Sequence, residues 1–470
     1  MYALSVGDLS RIVRFGEERG AEFVEARYQD MLYEAIVVDN GVIRAFNISY
    51  TRGVGIRVVA GRYAGYASTN KLDLESLKNA VERALKAAKS MEVAGSTIAL
   101  YSRKTVKDKI VSHYNVDSID VDPSEKIELL MDMYKVSREV DGIASSTIRY
   151  GFERDHRIYV SSSGDYVDIT VRLIGIGVYL VASVEGVMER LWDSKSRVAG
   201  WEFIRDIDWI SFARENAELV VQAAKAPVVK PGRYTAVLDN EIVGLMLHEA
   251  FGHATEGDIV DAGGSILENK LGEKIASDLV TVVDDGRVEG GYYVPYDDEG
   301  TPKRKVVTVK NGVLKSYLHS LATAKKLGGT PTGNARVMDY SRVLLVRQTN
   351  TYMEPRDWSL EEMIRDTREG IYVRGKGAMG GQVDPSMGTF TFTVGPSYMI
   401  RNGEKAELVR GVMLSGNILE TLMNVDAVGK DLVVHTSVFG GCGKDGQRVR
   451  VGGGGPHIRV RDLAIGGGSR

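Results

Sequence analysis

The sequence predicts an α/β (α+β) N-terminal half followed by a β-rich C-terminal domain. Over about the first 226 residues, stretches with apolar residues at helical spacing alternate with strand pairs joined by tight turns. From Tyr234 onward, after a single helix, short strand-like runs and turn signals predominate. Glycine is dense after Ile371, but Val, Ile and Phe runs interrupt it, so this region is not expected to be a flexible linker.

Proline and glycine mark the boundaries between the predicted units. A chain of 470 residues is long enough for two to four domains. We expect three units, over residues 1–107, 108–226 and 227–470. Pro227 and Pro231-Gly232 mark the start of the third unit.

The first unit is predicted to begin with a helix near Leu9 to Glu18. Asp39-Asn40-Gly41 separates two apolar runs and favours a hairpin, because Asn-Gly accepts the positive φ of a type I′ turn. A second hairpin is expected at Ala60-Gly61. Asp73 then caps a helix that extends to about Ser90.

The second unit carries a strong helix start at Asp122-Pro123-Ser124-Glu125. The aspartate caps, proline occupies the first helical position and glutamate stands two positions later. Strand-like runs lie on both sides of the Ser-rich turn 161–165. Another helix, from about Trp209 to Ala224, closes the unit.

Turn dipeptides divide the third unit into strands. Asp285-Gly286, Asn311-Gly312 and Asn402-Gly403 each lie between apolar-rich runs and predict hairpins. The densest basic run, Lys303-Arg304-Lys305, is interpreted as a solvated strand edge rather than a phosphate site. These signals make the unit predominantly β.

Composition excludes several classes of protein. The net charge of -3 and the mixed 26% charged content give no electrostatic case for binding nucleic acid or a membrane surface. Met1 to Leu9 does not resemble a signal peptide, and no apolar run approaches the roughly 20 residues that span a bilayer. The single cysteine excludes an intramolecular disulfide and fits a reducing compartment. We therefore expect a cytoplasmic protein.

The stretch from Leu247 to Asp258 has the composition of a metal site. His248 and His253 can each give a neutral nitrogen to Zn²⁺, and Glu249 can take a proton from a metal-bound water. This arrangement is typical of a hydrolase. The β-rich domain is therefore also predicted to bind metal.

The HExxxH spacing is one residue longer than HExxH and requires a distorted helix. At about 100° per residue, positions five apart lie about 140° apart around a straight α-helix and do not converge. The apolar pattern predicts a helix through Asn240 to Leu247, with Asn240 as a candidate N-cap. A one-residue π-bulge, or an end of the helix near Gly252, would swing His253 back towards His248.

Further ligands must come from elsewhere, because a catalytic zinc site usually has three protein ligands and one open position. Glu256 and Asp258 are candidates to hold a motif histidine through its other ring nitrogen, or are solvated loop acids. Cys442 is the most interesting third ligand, since its glycine-rich surroundings would let the backbone approach a metal and Lys444 could favour the thiolate. The alternative is a buried, inert cysteine. The remaining histidines are His113, His156, His319, His435 and His457.

Several separated stretches together resemble the TldD/PmbA family of zinc metallopeptidases, and specifically its TldD branch. The resemblance covers most of the C-terminal half. Its residues are the HExxxH motif with Glu256-Gly257-Asp258, then 298–302, 349–353, 380–384 and 442–447. The PmbA (TldE) branch lacks the HExxxH motif, so its presence here favours TldD.

The resemblance implies the roles of four residues and a type of partner. His248, His253 and Cys442 would bind one Zn²⁺ per chain, and Glu249 would be catalytic. Small or unfolded peptides would be the substrates, reached through an enclosed cavity. A heterodimer with a PmbA/TldE-like paralogue is the first expectation, and a homodimer is the second.

We therefore expect a zinc-dependent peptidase with Glu249 as general base. Strands near the site could hold an extended peptide by backbone pairing, and Gly380-Gly381-Gln382 is a candidate edge for this. The alternative is a non-catalytic peptide-binding or regulatory protein whose zinc is structural. Four protein ligands would support that alternative, with His435 or His457 as the fourth.

Overall fold

The structure, a computed structural model, describes residues 4–94, 97–378 and 380–467. Its α-helices are α1 Val6–Glu18, α2 Leu74–Ala94, α3 Pro123–Arg138, α4 Glu202–Arg205, α5 Trp209–Lys225, α6 Asn240–Met246, α7 Gly257–Asp261, α8 Leu321–Leu327, α9 Leu360–Thr367 and α10 Ile418–Met423. Short 3₁₀ turns cover Ser118–Asp120 and His253–Thr255, and a π-helix covers Leu247–Gly252.

The strands of the N-terminal half are long, and those of the C-terminal half are short. They are β1 Phe23–Asp39, β2 Val42–Ala60, β3 Tyr63–Thr69, β4 Lys107–Val111, β5 Ile143–Ser161, β6 Tyr166–Val184, β7 Val187–Arg197, β8 Gly232–Leu238, β9 Val282–Asp284, β10 Val306–Lys310, β11 Val313–Leu314, β12 Ala335–Arg336, β13 Leu345–Val346, β14 Asn350–Met353, β15 Gly370–Val373, β16 Gly380–Asp384, β17 Thr389–Thr393, β18 Ser397–Arg401, β19 Glu404–Val409, β20 Val412–Asn417, β21 Val425–Val428, β22 Val433–Thr436, β23 Cys442–Lys444, β24 Gln447–Val449, β25 Gly452–Gly455 and β26 Ile458–Gly467. The predicted α/β half with a β-rich C-terminal domain is confirmed.

One seven-stranded sheet runs through the N-terminal half. Its order is β3-β2-β1-β5-β6-β4, with β7 paired to β6. Strands from residues 1–107 and from 108–226 therefore share a single sheet, joined where β1 pairs with β5. The division of the chain into three units stays a prediction.

Tight turns set the register of this sheet as the sequence predicts. Asn40 and Gly41 adopt φ of 49° and 79° between β1 and β2. Gly61 and Arg62 have φ of 57° and 69° between β2 and β3. Both pairs have the positive φ that a type I′ hairpin requires. The Ser-rich turn at 161–165 likewise joins β5 to β6.

Helices cover one face of the sheet, and their caps are mostly the predicted ones. The Ser76 amide donates to Asp73 Oδ1 over 2.8 Å, and the Ser124 amide donates to Asp122 Oδ1 over 2.8 Å. Helix α1 begins earlier than expected, at Val6, because Ser5 supplies a capping box. The apolar faces of α1 and α2 pack on one end of the sheet, and those of α3 and α5 on the other.

The C-terminal half contains a nine-stranded sheet and a six-stranded sheet around a shared core. Strand β8 pairs with β15 and β26 inside the larger sheet and leads directly into α6. Helix α6 lies against β25 of the smaller sheet, where Gly244 meets the backbone of Gly453 and Gly454. A Cβ at Gly244 would crowd that backbone, so the glycine permits the close approach.

Three sequence expectations for this half are corrected. Asp285-Gly286 is not a hairpin, because β9 pairs with the distant β10 and β14. Lys303 is not a solvated strand residue: it is 3% exposed and its ammonium lies 2.5 Å from Asp284. The sequence predicts a single helix in this half, but the structure has four more α-helices after α6, namely α7 to α10. The hairpins at Asn311-Gly312 and Asn402-Gly403 are confirmed, with positive φ at all four residues.

The described residues also bear on membrane insertion. Within them, no helix is both long enough and apolar enough to cross a lipid bilayer.

Candidate metal centre

The HExxxH motif follows directly from α6, whose first turn is capped one residue earlier than predicted. Asp239 accepts the Ile242 amide over 3.0 Å and is the N-cap. Asn240 is instead the first residue of the helix. Its side-chain amide donates to the carbonyls of Asp431 and Gly455, at 2.7 Å each, and ties the helix to neighbouring loops.

The motif itself is a π-helix over Leu247–Gly252, followed by a 3₁₀ turn from His253. The predicted distortion of the helix is thus confirmed. Hydrogen bonds in a π-helix join residues five apart, so His248 and His253 fall on one side of the helix. Their ring centroids lie 5.3 Å apart.

Gln348 supports this π-helix and was not singled out by the sequence. Its Nε2 donates to the His248 carbonyl over 3.0 Å, and its Oε1 accepts the Thr351 hydroxyl over 2.7 Å. A Cβ built on Gly252 would overlap the Gln348 amide. A glycine inside a helical pattern signals such a close approach, but it does not say which residue approaches.

Cys442, at the start of β23, completes a compact set of donor atoms. Its Sγ lies 3.3 Å from His253 Nε2. Ligand atoms of His248, His253 and Cys442 all lie within 4.8 Å of one another, and the three residues are 7%, 7% and 3% exposed. No other group of three or more His, Cys, Asp or Glu in the described ranges is so arranged.

This donor set fits zinc. Both ring nitrogens of His248 are buried without a hydrogen-bond partner among the described residues, which is costly unless another group binds there. Two imidazoles and a thiolate are ligands that zinc prefers, with bonds of about 2.0–2.3 Å. The 3.3 Å separation of Cys442 Sγ and His253 Nε2 is compatible with both atoms binding one such ion.

The electrostatics of the cluster favour a thiolate. Burial alone would raise the pKa of Cys442, but His248 and His253 outweigh it and lower this pKa to about 5. Burial disfavours a charged His253, yet the adjacent Glu256 carboxylate raises its pKa well above the usual value. A deprotonated sulfur is the form that binds metal.

Glu256 contacts a motif histidine, and Asp258 does not. The His253 Nδ1 lies 3.0 Å from Glu256 Oε2. Asp258 instead accepts the Val346 amide over 2.9 Å. Lys444 donates to Glu256 and Asp258, at 3.0 Å and 2.6 Å. Its ammonium therefore pairs with these two carboxylates and not, as the sequence predicts, with the Cys442 thiolate.

Glu249 faces an open cleft beside the cluster. Its side chain is 37% exposed, and its Oε2 lies 3.9 Å from His253 Nε2. The cleft has a volume of about 730 Å³, and its wall includes His248, Glu249, Cys442 and Gly380. A carboxylate that can reach solvent beside buried metal-binding donors is arranged to exchange protons with a molecule in the cleft.

The two histidines considered as a fourth ligand lie outside the donor group. His435 lines the same cleft, and burial lowers its pKa to about 4, so its imidazole is neutral near pH 7. His457 is engaged elsewhere, with the Tyr372 hydroxyl and the Asp431 carboxylate. The three-donor group therefore has no fourth histidine among the described residues.

Family models cover nearly the whole chain. A model described as the PmbA/TldA metallopeptidase C-terminal domain matches residues 231–467. Models of domain 1 and of the central domain of the same metallopeptidases match residues 24–88 and 117–224. The chain belongs to the PmbA/TldD family.

Curated relatives of this family match over almost their full length. A protein from Methanothermobacter thermautotrophicus, named a metalloprotease, is 37% identical over 450 residues, with 96% of each chain covered. A zinc metalloprotease TldD homolog from Saccharolobus solfataricus is 29% identical, with 97% of this chain and 99% of the relative covered. Such names agree with the predicted TldD branch.

Solved structures share the fold at lower identity. A TldE from Thermococcus kodakarensis has a TM-score of 0.75 at 22% identity, covering 98% of this chain and 100% of its own. A protein from Thermotoga maritima, described as a candidate modulator of a DNA gyrase, has a TM-score of 0.80 at 20% identity, covering 98% and 99%.

Proposed function

We propose that the protein is a zinc-dependent peptidase that hydrolyses small or unfolded peptides. The observation that supports this most directly is the cluster of His248, His253 and Cys442, with three donor atoms beside an open cleft. Three protein ligands and a free position are the usual composition of a catalytic zinc site, whereas structural sites have four.

In the proposed reaction, His248, His253 and Cys442 would hold one Zn²⁺. When bound, the ion supplies Lewis acidity that polarises a peptide carbonyl and acidifies water. Glu249 accepts the proton of the attacking water and later delivers it to the leaving amine. Its exposed carboxylate, 3.9 Å from His253, has access to both the cleft and the donor cluster.

Substrate binding is proposed to use the edge of β16. Among the described strands, β16 pairs only with β17, so the other edge of Gly380-Gly381-Gln382 is unpaired. The strand also contacts the π-helix that bears the motif. An extended peptide could add to this edge through its backbone, largely regardless of its side chains. A bound peptide found elsewhere by crystallography would dismiss this part of the proposal.

The test compares wild-type protein with Glu249→Gln, both loaded with zinc, on a pool of unstructured peptides followed by mass spectrometry. Loss of the general base is expected to reduce cleavage by about 10²–10⁴-fold without loss of zinc. Equal cleavage by both proteins would refute the assigned role of Glu249.

The same assay addresses the non-catalytic alternative. Stoichiometric zinc without cleavage, also in the presence of the paralogue, would favour a structural zinc and a peptide-binding role. That role would call for a fourth protein ligand, and neither His435 nor His457 belongs to the described donor group.

We propose a PmbA/TldE-like paralogue as the partner, with a homodimer as the second choice. The support is the family itself, together with the fold shared with a TldE. Light scattering of the chain alone and mixed with the paralogue tests this. A chain that stays monomeric in both samples would refute both assemblies.

A further inference from the structure

A second cavity, of about 390 Å³, lies between the seven-stranded sheet and the C-terminal half. It shares no lining residue with the metal cleft. The segment 437–442 separates the two spaces: Val438 and Phe439 line the cavity, whereas Gly440 to Cys442 line the metal cleft. A molecule in this cavity would therefore not touch the metal-binding donors.

Part of the wall is apolar and suits the body of an organic molecule. Val167, Ile169 and Val171 of β6 line the cavity, and Phe439 lines it from the C-terminal half. Tyr292 also lines it and is 7% exposed, with no hydrogen-bond partner for its hydroxyl among the described residues. Small-molecule sites combine such apolar surface with a few polar groups, typically in about 300–1,000 Å³.

The carboxylates of the wall are already satisfied. Glu153 pairs with Arg450 over 2.7 Å, and Asp298 pairs with Arg157 over 2.8 Å. Asp155 accepts hydrogen bonds from Gln29 and Arg157. Asp297 accepts hydrogen bonds from the backbone amides of Glu299, Thr301 and Ala335. These acids therefore do not call for a cation in the cavity.

Two of the five arginines that line the cavity, in contrast, have no carboxylate partner among the described residues: Arg336 and Arg448. Arg336 is 7% exposed and donates only to carbonyls, with no carboxylate within 4.0 Å among the described residues. A third, Arg27, is 4% exposed and forms an ion pair with Glu25 at 3.7 Å, but its Nε and Nη1 make no hydrogen bond within the described residues. The Arg448 side chain is exposed and forms no ion pair or hydrogen bond within the described ranges. Guanidinium groups that have no carboxylate partner favour an anionic ligand.

We propose that this cavity is a binding site for a small organic carboxylate with an aromatic or branched apolar body. The ligand's carboxylate meets Arg336 and Arg448, because the planar guanidinium of arginine is well matched to a carboxylate. Its body packs on the β6 and Phe439 wall. This proposal does not depend on peptidase activity, since it concerns binding at a site apart from the metal cleft.

The test uses N-acetyl-L-phenylalanine as the probe and its uncharged amide as the matched control compound, titrated calorimetrically into zinc-loaded protein. The acid is expected to bind saturably, and the amide at least tenfold more weakly, because only the acid forms charge-assisted hydrogen bonds with arginine. Equal binding of both compounds, or no saturable binding of the acid at millimolar concentration, would overturn the proposal.

Two variants locate the binding. Arg448→Gln removes a positive charge from the cavity wall. Because the Arg448 side chain forms no ion pair with another described residue, the fold is expected to be preserved, and the affinity for the acid is expected to fall severalfold. Arg14→Gln removes an exposed charge on α1, away from the cavity, and is expected to leave the affinity unchanged. Binding that is insensitive to Arg448→Gln but lost when EDTA removes zinc would place the carboxylate at the metal and refute the proposed site.

Discussion

At the scale of single residues, Glu256 determines which nitrogen of His253 is available. Its carboxylate lies 3.0 Å from Nδ1, so that nitrogen carries the proton as a donor. The opposite nitrogen, Nε2, faces Cys442 Sγ at 3.3 Å and would bind zinc once it releases its proton. Such an outer carboxylate orients the ring and raises its basicity as a ligand.

Glu256→Gln is accordingly expected to weaken zinc binding by about 10–100-fold, measured by competition with a chelator. Asp258→Asn is the matched control. Asp258 shares the contact with Lys444 but touches neither histidine, so its variant is expected to have a smaller effect. Equal losses in the two variants would contradict the orienting role of Glu256.

His319 gives the protein a pH-dependent stability. It is 4% exposed, and burial lowers its pKa to about 4. An unfolded histidine titrates near 6.5, so between pH 6.5 and 4 the unfolded state binds more protons than the folded state. The contribution of His319 to the free energy of unfolding therefore falls as the pH falls through this range.

When the pH is lowered from 7 to 5, the free energy of unfolding of His319→Gln is expected to fall by about 1–2 kcal/mol less than that of the wild type. Urea unfolding of both proteins at the two pH values measures this difference. Any destabilisation that the substitution causes equally at both pH values cancels in the comparison. His113→Gln, which replaces an exposed histidine, is the control. A loss identical to that of the wild type would contradict the buried, neutral state of His319.

At the scale of elements, the π-helix requires Gly252. A side chain there would displace Gln348, whose amide holds the His248 carbonyl. Gly252→Ala is expected to destabilise the protein by about 1–3 kcal/mol, as overpacking does, and to lower its zinc content. Thermal unfolding and metal analysis test both effects.

Two further variants interpret that result. Gly7→Ala in α1 places its Cβ in ordinary contact with Ser5, and is expected to be tolerated. Gln348→Ala added to Gly252→Ala removes the overlapping group, so part of the loss caused by Gly252→Ala should be recovered. No recovery would mean that the overlap with Gln348 is not the cause.

At the scale of the whole molecule, ion pairs join the two halves. Arg157 of β5 donates to both Asp298 oxygens, at 2.8 Å and 3.1 Å, and also pairs with Asp155. Glu153 pairs with Arg450, and Arg57 with Glu299. These contacts hold the sheet of the N-terminal half against the domain that carries the candidate metal centre.

Arg157→Met is expected to lower the free energy of unfolding by about 3–5 kcal/mol, because it leaves buried carboxylates without their cation. Chemical denaturation measures the change. Arg233→Gln is the control, since the Arg233–Asp462 pair is exposed and within one sheet. If both variants were equally stable, the contact between the halves would not depend on Arg157.

The sequence by itself determined the features that depend on neighbouring residues. Asn40-Gly41 and Asp122-Pro123 act within one turn of chain, so the hairpin and the helix start could be predicted from them. The five-residue spacing of His248 and His253 required a distorted helix for the same local reason. The residue types of the motif predict a metal site in the same local way.

Only the tertiary structure decided what reaches the motif from far along the chain. Cys442 lies 189 residues beyond His253; its residue type and the family resemblance made it the candidate third ligand, but only the fold brings its Sγ to 3.3 Å from His253 Nε2. Packing of strands and loops brings Gln348 and Lys444 next to the motif, and no local sequence pattern encodes that packing. Likewise, Asp285-Gly286 does form a turn, in which Asp285 Oδ1 accepts the Arg287 amide over 2.9 Å, but β9 pairs with the distant β10 and β14, so the turn does not join a hairpin.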